Sequence, residues 1–587
     1  MKKALIALVV IVLVGVLVVV GFGLIFGGSG GGGGVPKKVL LEVDFEQGMV
    51  EYLPADSFGE LFGEATPRLR DMVAALDRAA ADDRVVGLVA QVGEPGLGFA
   101  QIQELRGAVE RFRAAGKPAV AWSETFGEVS SGNASYYLAS AFDRIYLQPS
   151  GDVNLTGLVL ESMFLRGTFE KLEATPQMDH RHEYKNAMNT FTESEFTEPH
   201  REALETLMTS IYSQMVEGMA ESRGLEPTAL EALVDAGPYL GAEAVEAGLV
   251  DRLAYRDEVY AEVRAEVGDD ADLLYLARYA ERSSESGRGT EVALIHGVGN
   301  IVRGPSQFNP FDGSTVMGSD TVAAALREAV EDSSVEAILF RIDCPGGSYV
   351  ASDAVWREVV RAREAGKPVI VSFGNVAASG GYFVAMAADR IVAQPATITG
   401  SIGVLGGKIV TRDSWAKLGV SFDSVSVGAN AEMWSALEPY DDAEWARFQA
   451  WLDRVYEDFT AKVAEGRGLP LEQVQEIAKG RVWTGADALE VGLVDALGGY
   501  DVALAEVRSA LELEADAPLV LEEFPRRGTP WDQLFAPQSE NSEPTSLALV
   551  RTLETLQPMV RTARRAGLIE PPAPAVLSYP EEWVPRP

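Results

Sequence analysis

The chain is written twice, and each copy lacks a residue that the other supplies. Val85-Val86-Gly87-Leu88-Val89 is answered by Val335-Glu336-Ala337-Ile338-Leu339, and Gly116-Lys117-Pro118 by Gly366-Lys367-Pro368. Asp143-Arg144-Ile145 matches Asp389-Arg390-Ile391, Arg223-Gly224-Leu225 matches Arg467-Gly468-Leu469, and Gly248-Leu249-Val250-Asp251 matches Gly492-Leu493-Val494-Asp495. The spacing drifts slightly and the order never changes, as expected of an internal repeat. Between these landmarks the copies part. The second presents Ala377-Ala378-Ser379-Gly380-Gly381-Tyr382, where the first has Ser131-Gly132-Asn133-Ala134-Ser135-Tyr136, with Asn133 in place of Ser379. The first carries Tyr184-Lys185-Asn186-Ala187, where the second reads Gly428-Ala429-Asn430-Ala431 and has no lysine. One nucleophile and one base, divided between two copies, imply a composite site between them.

Each copy alternates short apolar runs with helical stretches, the pattern of parallel strands joined by crossover helices. Residues 337–342 and 368–373 read as buried strands, 352–365 and 380–388 as helices, and 198–224 and 442–468 as long acidic helices. The expected fold class is therefore α/β, in two tandem domains over 37–285 and 290–512, with the polar stretch 283–289 between them. A chain of 587 residues is too long for one core, and 47% hydrophobic residues can fill two. Residues 515–587 are rich in proline and charge and read as an acidic tail, with a helix over 546–568 interrupted by Pro558.

The formal charge of −37 excludes nucleic acid as a partner, because phosphates would be repelled. A single cysteine, Cys344, rules out an intrachain disulfide framework. The four histidines form no zinc pattern. His180 and His182 could share a strand face, which reads as a solvated strand more readily than as a metal site. Met1-Lys2-Lys3 precedes 23 uncharged residues, 4–26, long enough at about 1.5 Å per residue to span a bilayer. The basic end belongs in the cytoplasm and the bulk outside. The stretch is too long for a signal-peptide core and no A-x-A site follows, so an uncleaved anchor is expected. Residues 27–36 form a glycine-rich tether.

Ser379 lies between a predicted strand and a predicted helix, flanked by residues small enough to admit a substrate backbone. It reads either as a nucleophile or as an ordinary helix N-cap. Asp343-Cys344-Pro345-Gly346-Gly347-Ser348 makes a tight turn with exposed amides. Beside Ser379, the N–H groups of Gly347 and Gly380 could form an oxyanion hole; alone, the segment is a simple turn. The matching Pro95-Gly96-Leu97 has lost one glycine. Only His296 among the histidines lies in the second copy, in an apolar run, so it reads as a core residue. Lys185 could serve as base if burial lowers its pKa, although most lysines are solvated. Cys344, at an apparent strand end with no histidine beside it in sequence, reads as a packing residue rather than a rival nucleophile.

Together these motifs resemble the signal peptide peptidase A family in its long, duplicated, membrane-anchored bacterial form. The resemblance covers about residues 40–510 and rests on five segments. They are Cys-Pro-Gly-Gly-Ser at 344–348, Ala-Ala-Ser-Gly-Gly-Tyr at 377–382, Thr-Gly-Ser-Ile-Gly at 399–403, Tyr-Lys-Asn-Ala at 184–187 and Gly-Arg-Val-Trp-Thr-Gly at 480–485. It implies Ser379 as nucleophile, Lys185 as general base and Ser401 as a partner orienting the lysine. It implies a fold like that of the Clp protease and crotonase superfamily, with no cofactor. It further implies a homotetramer on the bacterial inner membrane, with the catalytic bulk in the periplasm and remnant signal peptides or other apolar segments as substrates. Cys344 departs from the Ser or Thr usual before Pro-Gly-Gly. The rival classes are a crotonase-like acyl-CoA enzyme, which would need a glutamate near the glycine turn, and a non-catalytic membrane scaffold.

Overall fold

The computed structural model describes residues 34–52, 66–283, 287, 289–308 and 314–526. The apolar stretch 4–26, most of the glycine tether and the tail beyond 526 lie outside the described residues. So do the expectations of an anchor and of a helix over 546–568. Among the described residues no helix is long and apolar enough to cross a membrane.

Each repeat builds its own sheet. In the first, β1 (Val39–Asp44), β2 (Val85–Gln91), β3 (Ala119–Ser123), β4 (Arg144–Leu147), β5 (Arg252–Leu253) and β6 (Asp272–Tyr275) lie in the order β5-β4-β3-β2-β1-β6, all parallel. The second contains β7 (Thr290–Val298), β8 (Val335–Cys344), β9 (Val369–Ala378), β10 (Arg390–Ala393), β11 (Ile398–Gly400), β12 (Val482–Thr484), β13 (Ala496–Leu497) and β14 (Leu519–Phe524). Its main order is β12-β11-β9-β8-β7-β14, and β10 joins β9 to β13. All its pairings are parallel except β11 with β12. The strands are near-continuous apolar runs because a parallel sheet is covered on both faces. Along β7, Ala293 and Ile295 join one core while Val292 and Leu294 join the other, the period of two that a strand imposes.

The helices repeat as faithfully: α1 (Phe99–Ala114), α2 (Asn133–Ala139) and α3 (Glu198–Arg223) in the first copy, α4 (Tyr349–Glu364), α5 (Gly380–Ala385) and α6 (Asp442–Arg467) in the second. The expected strands and helices are found, with shifted ends. Helix α4 starts earlier than expected because the Ser348 hydroxyl accepts the Ala351 N–H and sets its start. Helix α5 stops at Ala385 rather than 388. There the chain tightens, with Ala388 N–H donating to Ala385 O, and Asp389 N–H is already held by Val369 O at the sheet.

The landmarks shared by the two copies are structural. Asp143 and Asp389 accept the first N–H of the neighbouring strand, from Ala119 and Val369, at 2.9 and 2.8 Å. Arg223 pairs with Asp251 at 3.0 Å and Arg467 with Asp495 at 2.6 Å. Tyr136 and Tyr382 donate to the carbonyls of Leu249 and Leu493. What the copies share holds the fold; what they do not share remains for chemistry.

Of the contacts that join the repeats among the described residues, two bear on the site. The strand Thr175–His180 of the first copy pairs antiparallel with Leu405–Val410 of the second, His180 opposite Leu405. At the seam, the fully buried Arg341 of β8 meets Glu51 at 2.5 Å, Glu104 at 2.8 Å and Ser372 Oγ at 2.8 Å. Its guanidinium also lies over the Tyr500 ring at 4.5 Å. Both carboxylates come from the first repeat. Replacing Arg341 with Ala would strand two buried carboxylates, which costs about 3–5 kcal/mol. The expected outcome is a markedly lower unfolding midpoint in urea; an unchanged midpoint would show that the seam does not depend on this ion cluster.

Candidate active site

The antiparallel pairing delivers Lys185 to the second repeat. His180 ends the strand, the backbone turns through His182 at a φ of 64°, and Tyr184 N–H donates to Lys479 O at 3.1 Å. This turn separates the two histidines that the sequence placed on one strand face: the His182 ring packs instead on Tyr456, centroids 4.4 Å apart. Lys185 then threads between two glycines. A Cβ on Gly480, whose φ is 80°, would lie 2.5 Å from Lys185 N, and one on Gly403 would lie 3.3 Å from Lys185 Cδ. Any side chain at 480 would thus displace the lysine backbone.

The lysine amine ends at the sequence-predicted serines. Lys185 Nζ lies 3.0 Å from Ser379 Oγ, 2.9 Å from Ser401 Oγ and 2.7 Å from Ser401 O, all within one chain. The side chain is buried, and desolvation lowers its pKa from 10.5 to about 7. A neutral amine has two N–H bonds and one lone pair. The Ser401 carbonyl can only accept, so it takes one N–H. With the Ser401 hydroxyl taking the other, the lone pair is left to face Ser379.

Ser379 follows β9 and precedes α5. Its φ of 53° lies in the region that side chains rarely occupy, so the turn is strained. Ser379 stands at the N-cap position of α5, as one reading of the sequence had it, but its hydroxyl makes no capping bond to the helix. Ser401 has a φ of 51° and is anchored by its N–H to Arg481 O at 2.7 Å. The Pro345-Gly346-Gly347 turn presses against this site. A Cβ on Gly346 would lie 2.8 Å from Gly380 N, and one on Gly380 would lie 3.1 Å from Gly347 N. The two amides named from the sequence therefore lie close together beside Ser379, and no hydrogen bond from either is seen among the described residues.

The other sequence candidates fall elsewhere. Asn133, which stands where Ser379 does, spends its side chain on structure, donating to Ser131 Oγ and Gly157 O and accepting from Thr156 N–H. Cys344 is fully buried, and its thiol is pushed up to about 12 by desolvation. His296, half-buried on β7, stacks on Tyr52 with ring centroids 4.7 Å apart and does not line the cleft over Ser379. In the second repeat, residues 428–431 form an exposed turn in place of the lysine segment.

Sequence reading left the substrate groove unassigned. A cleft of about 680 Å³ opens over Ser379, with Phe383, Trp451, Val455 and Phe459 forming an apolar wall. Trp451, Val455 and Phe459 recur every four residues on α6, so the helical stripe was the signal that could have found them.

The chloroplastic serine protease SPPA of Arabidopsis thaliana is 32% identical over 77% of this chain and 67% of its own length. Protease 4 of Haemophilus influenzae is 31% identical over 78% of this chain and 76% of its own length. A putative signal peptide peptidase SppA of Enterococcus faecium is 29% identical over 41% of this chain and 69% of its own length. With these relatives, the protein is a serine protease. The model of peptidase family S49 matches residues 111–269 and 361–514, one stretch in each repeat, and the chain belongs to that family.

Burying Lys185 has a thermodynamic sign. Its folded pKa of about 7 lies below the unfolded value of 10.5, a difference worth about 5 kcal/mol against the fold. That penalty is fully present below pH 7 and vanishes as pH rises to 10.5. Lys185→Met is therefore expected to be more stable than wild type at pH 6, by on the order of 2 kcal/mol. Urea midpoints at that pH check this; a lower midpoint for the variant would mean the amine stabilises the fold.

Proposed function

We propose that the chain is a membrane-anchored serine endopeptidase in which Ser379 attacks and Lys185 of the same chain is the general base. The observation that carries this is the 3.0 Å contact between Ser379 Oγ and a buried amine whose pKa is lowered to about 7. The lone pair of Lys185 takes the Ser379 proton as Oγ bonds to the scissile carbonyl carbon. The carbonyl oxygen becomes an oxyanion held by the N–H groups of Gly347 and Gly380. Collapse breaks the C–N bond, and the ammonium of Lys185 returns its proton to the leaving nitrogen. Water then attacks the acyl-enzyme with Lys185 again as base, and Ser379 regains its proton. Ser401 orients the amine through its hydroxyl and carbonyl.

The apolar wall of the cleft suits unfolded apolar segments. Together with the relative named putative signal peptide peptidase SppA, this supports remnant signal peptides as substrates. The uncharged run 4–26 supports a single-pass anchor with the catalytic bulk outside the bacterial inner membrane. The parallel sheets and composite site are in keeping with tandem domains of the Clp protease and crotonase type. The net charge of −37 speaks against nucleic acid as a partner. Val425 and Val427 are almost fully exposed and Leu418 and Trp434 largely so, a cost that contact with further copies would remove. A homotetramer is the assembly proposed.

Ser379→Ala and Lys185→Ala in the full-length protein are expected to lose at least about 1,000-fold in kcat on an apolar peptide. In the wild type, kcat/KM should rise with pH through about 7 as Lys185 loses its proton. A Lys185→Ala enzyme of normal activity, or a profile flat from pH 5 to 9, would sink the dyad. For the assembly, Val425→Asp with Val427→Asp should lower the particle mass seen by light scattering; an unchanged mass removes this surface from the interface.

A further inference from the structure

Both repeats line the cleft over Ser379. The second supplies Phe383, Trp451 and Phe459, and the first supplies Ser162, Thr190 and His200 beside Ala203 and Leu204. The proposed chemistry gives the cleft a direction. The base that deprotonates the serine must hand that proton to the leaving nitrogen, so the leaving segment departs on the side of Lys185. Asn186, Ala187 and Thr190 follow Lys185 closely in the chain and line the cleft there, and His200, in the first turn of α3, stands with them.

We propose that His200 is a specificity-determining residue that donates a hydrogen bond to the main chain of the leaving segment. This rests on the Ser379–Lys185 reading. The ring is prepared for that contact. Asn189 Nδ2 lies 3.4 Å from His200 Nδ1, and as far from Asn186 Oδ1 and Thr197 Oγ1. When Nδ1 accepts this amide N–H the proton sits on Nε2, the tautomer that the proposal uses. Phe196 meets the ring edge-on at 4.9 Å and 90°, and Phe164 at 6.3 Å, which fixes the plane. Nε2 has no protein partner among the described residues and is not sealed in the core. Partial burial lowers the imidazole pKa, and the start of α3 disfavours a cation, so the ring is a neutral donor at pH 7. A half-buried donor that a peptide satisfies, and a shorter substrate does not, favours the peptide.

The test compares two substrates with the same apolar acyl segment, one continuing as a peptide beyond the scissile bond and one ending in an aminocoumarin amide. Full-length wild type, His200→Phe, His200→Gln and Ser379→Ala are assayed on both. Phenylalanine keeps the aromatic packing and removes the donor; glutamine restores an N–H. The ratio of kcat/KM, peptide over coumarin, is expected to fall about tenfold in His200→Phe, the size of one neutral hydrogen bond. In His200→Gln it should return toward the wild-type value. A merely structural role would lower both substrates together and leave the ratio unchanged. An unchanged ratio in His200→Phe, or one in His200→Gln no nearer wild type, overturns the assignment while leaving the dyad intact. Residual cleavage by Ser379→Ala would instead overturn the dyad, and this assignment with it.

Discussion

A buried guanidinium fixes how the two repeats meet. Arg341 brings one positive charge from the second repeat to two carboxylates, Glu51 and Glu104, from the first. An apolar seam would tolerate sliding; a charge cluster sealed from water does not, because each displaced partner would be left uncompensated. The restraint reaches the site along the backbone. Arg341 lies on β8, and the Pro345-Gly346-Gly347 turn follows directly at its end. On the other side, Glu104 also accepts the Tyr500 N–H at 2.6 Å. Helix α1 further meets β9 where Gln101 N–H donates to Asn375 Oδ1, a few residues before Ser379. The seam thus ties the glycine turn and the strand that carries Ser379 to the repeat that carries Lys185.

Against this rigid seam, the site itself is unfavourable for folding. It holds an amine stripped of water and two serines, Ser379 and Ser401, at positive φ. Each such feature is tolerated because its surroundings leave no alternative. Gly403 and Gly480 leave room for the lysine only along the path it takes, and Gly400 O and Arg481 O hold the two serine backbones. The same desolvation that burdens the fold makes the amine a base near neutral pH.

Much of this was legible in the residues. The repeat itself exposed Ser379 and Lys185, because a position where two copies differ stands out against positions where they agree. Strands and helices were readable because their apolar periodicity is local. The partners of Lys185 were not. The pairing of Thr175–His180 with Leu405–Val410 joins residues more than two hundred positions apart, and nothing in either segment names the other. Arg341 was equally silent, since an arginine inside an apolar run shows no sign of the carboxylates it will meet. The kink at His182 depends on a positive φ that no composition rule predicts for histidine. The apolar wall on α6 was visible as a stripe, but a stripe does not say whether it faces a core or a groove.

Dividing the site between repeats also orders events in the life of the chain. The lysine is synthesised first, long before the serine, and in the finished fold the two meet through the inter-repeat strand pair. A chain that has emerged only as far as the first repeat has a base with nothing to activate. A second repeat released by cleavage near residue 285 has a serine with nothing to deprotonate it. On the proposed mechanism, hydrolysis is therefore conditional on both halves being present, folded and docked. For a protease made by the cell whose peptides it digests, that condition withholds activity from unfinished and broken copies without any separate inhibitor.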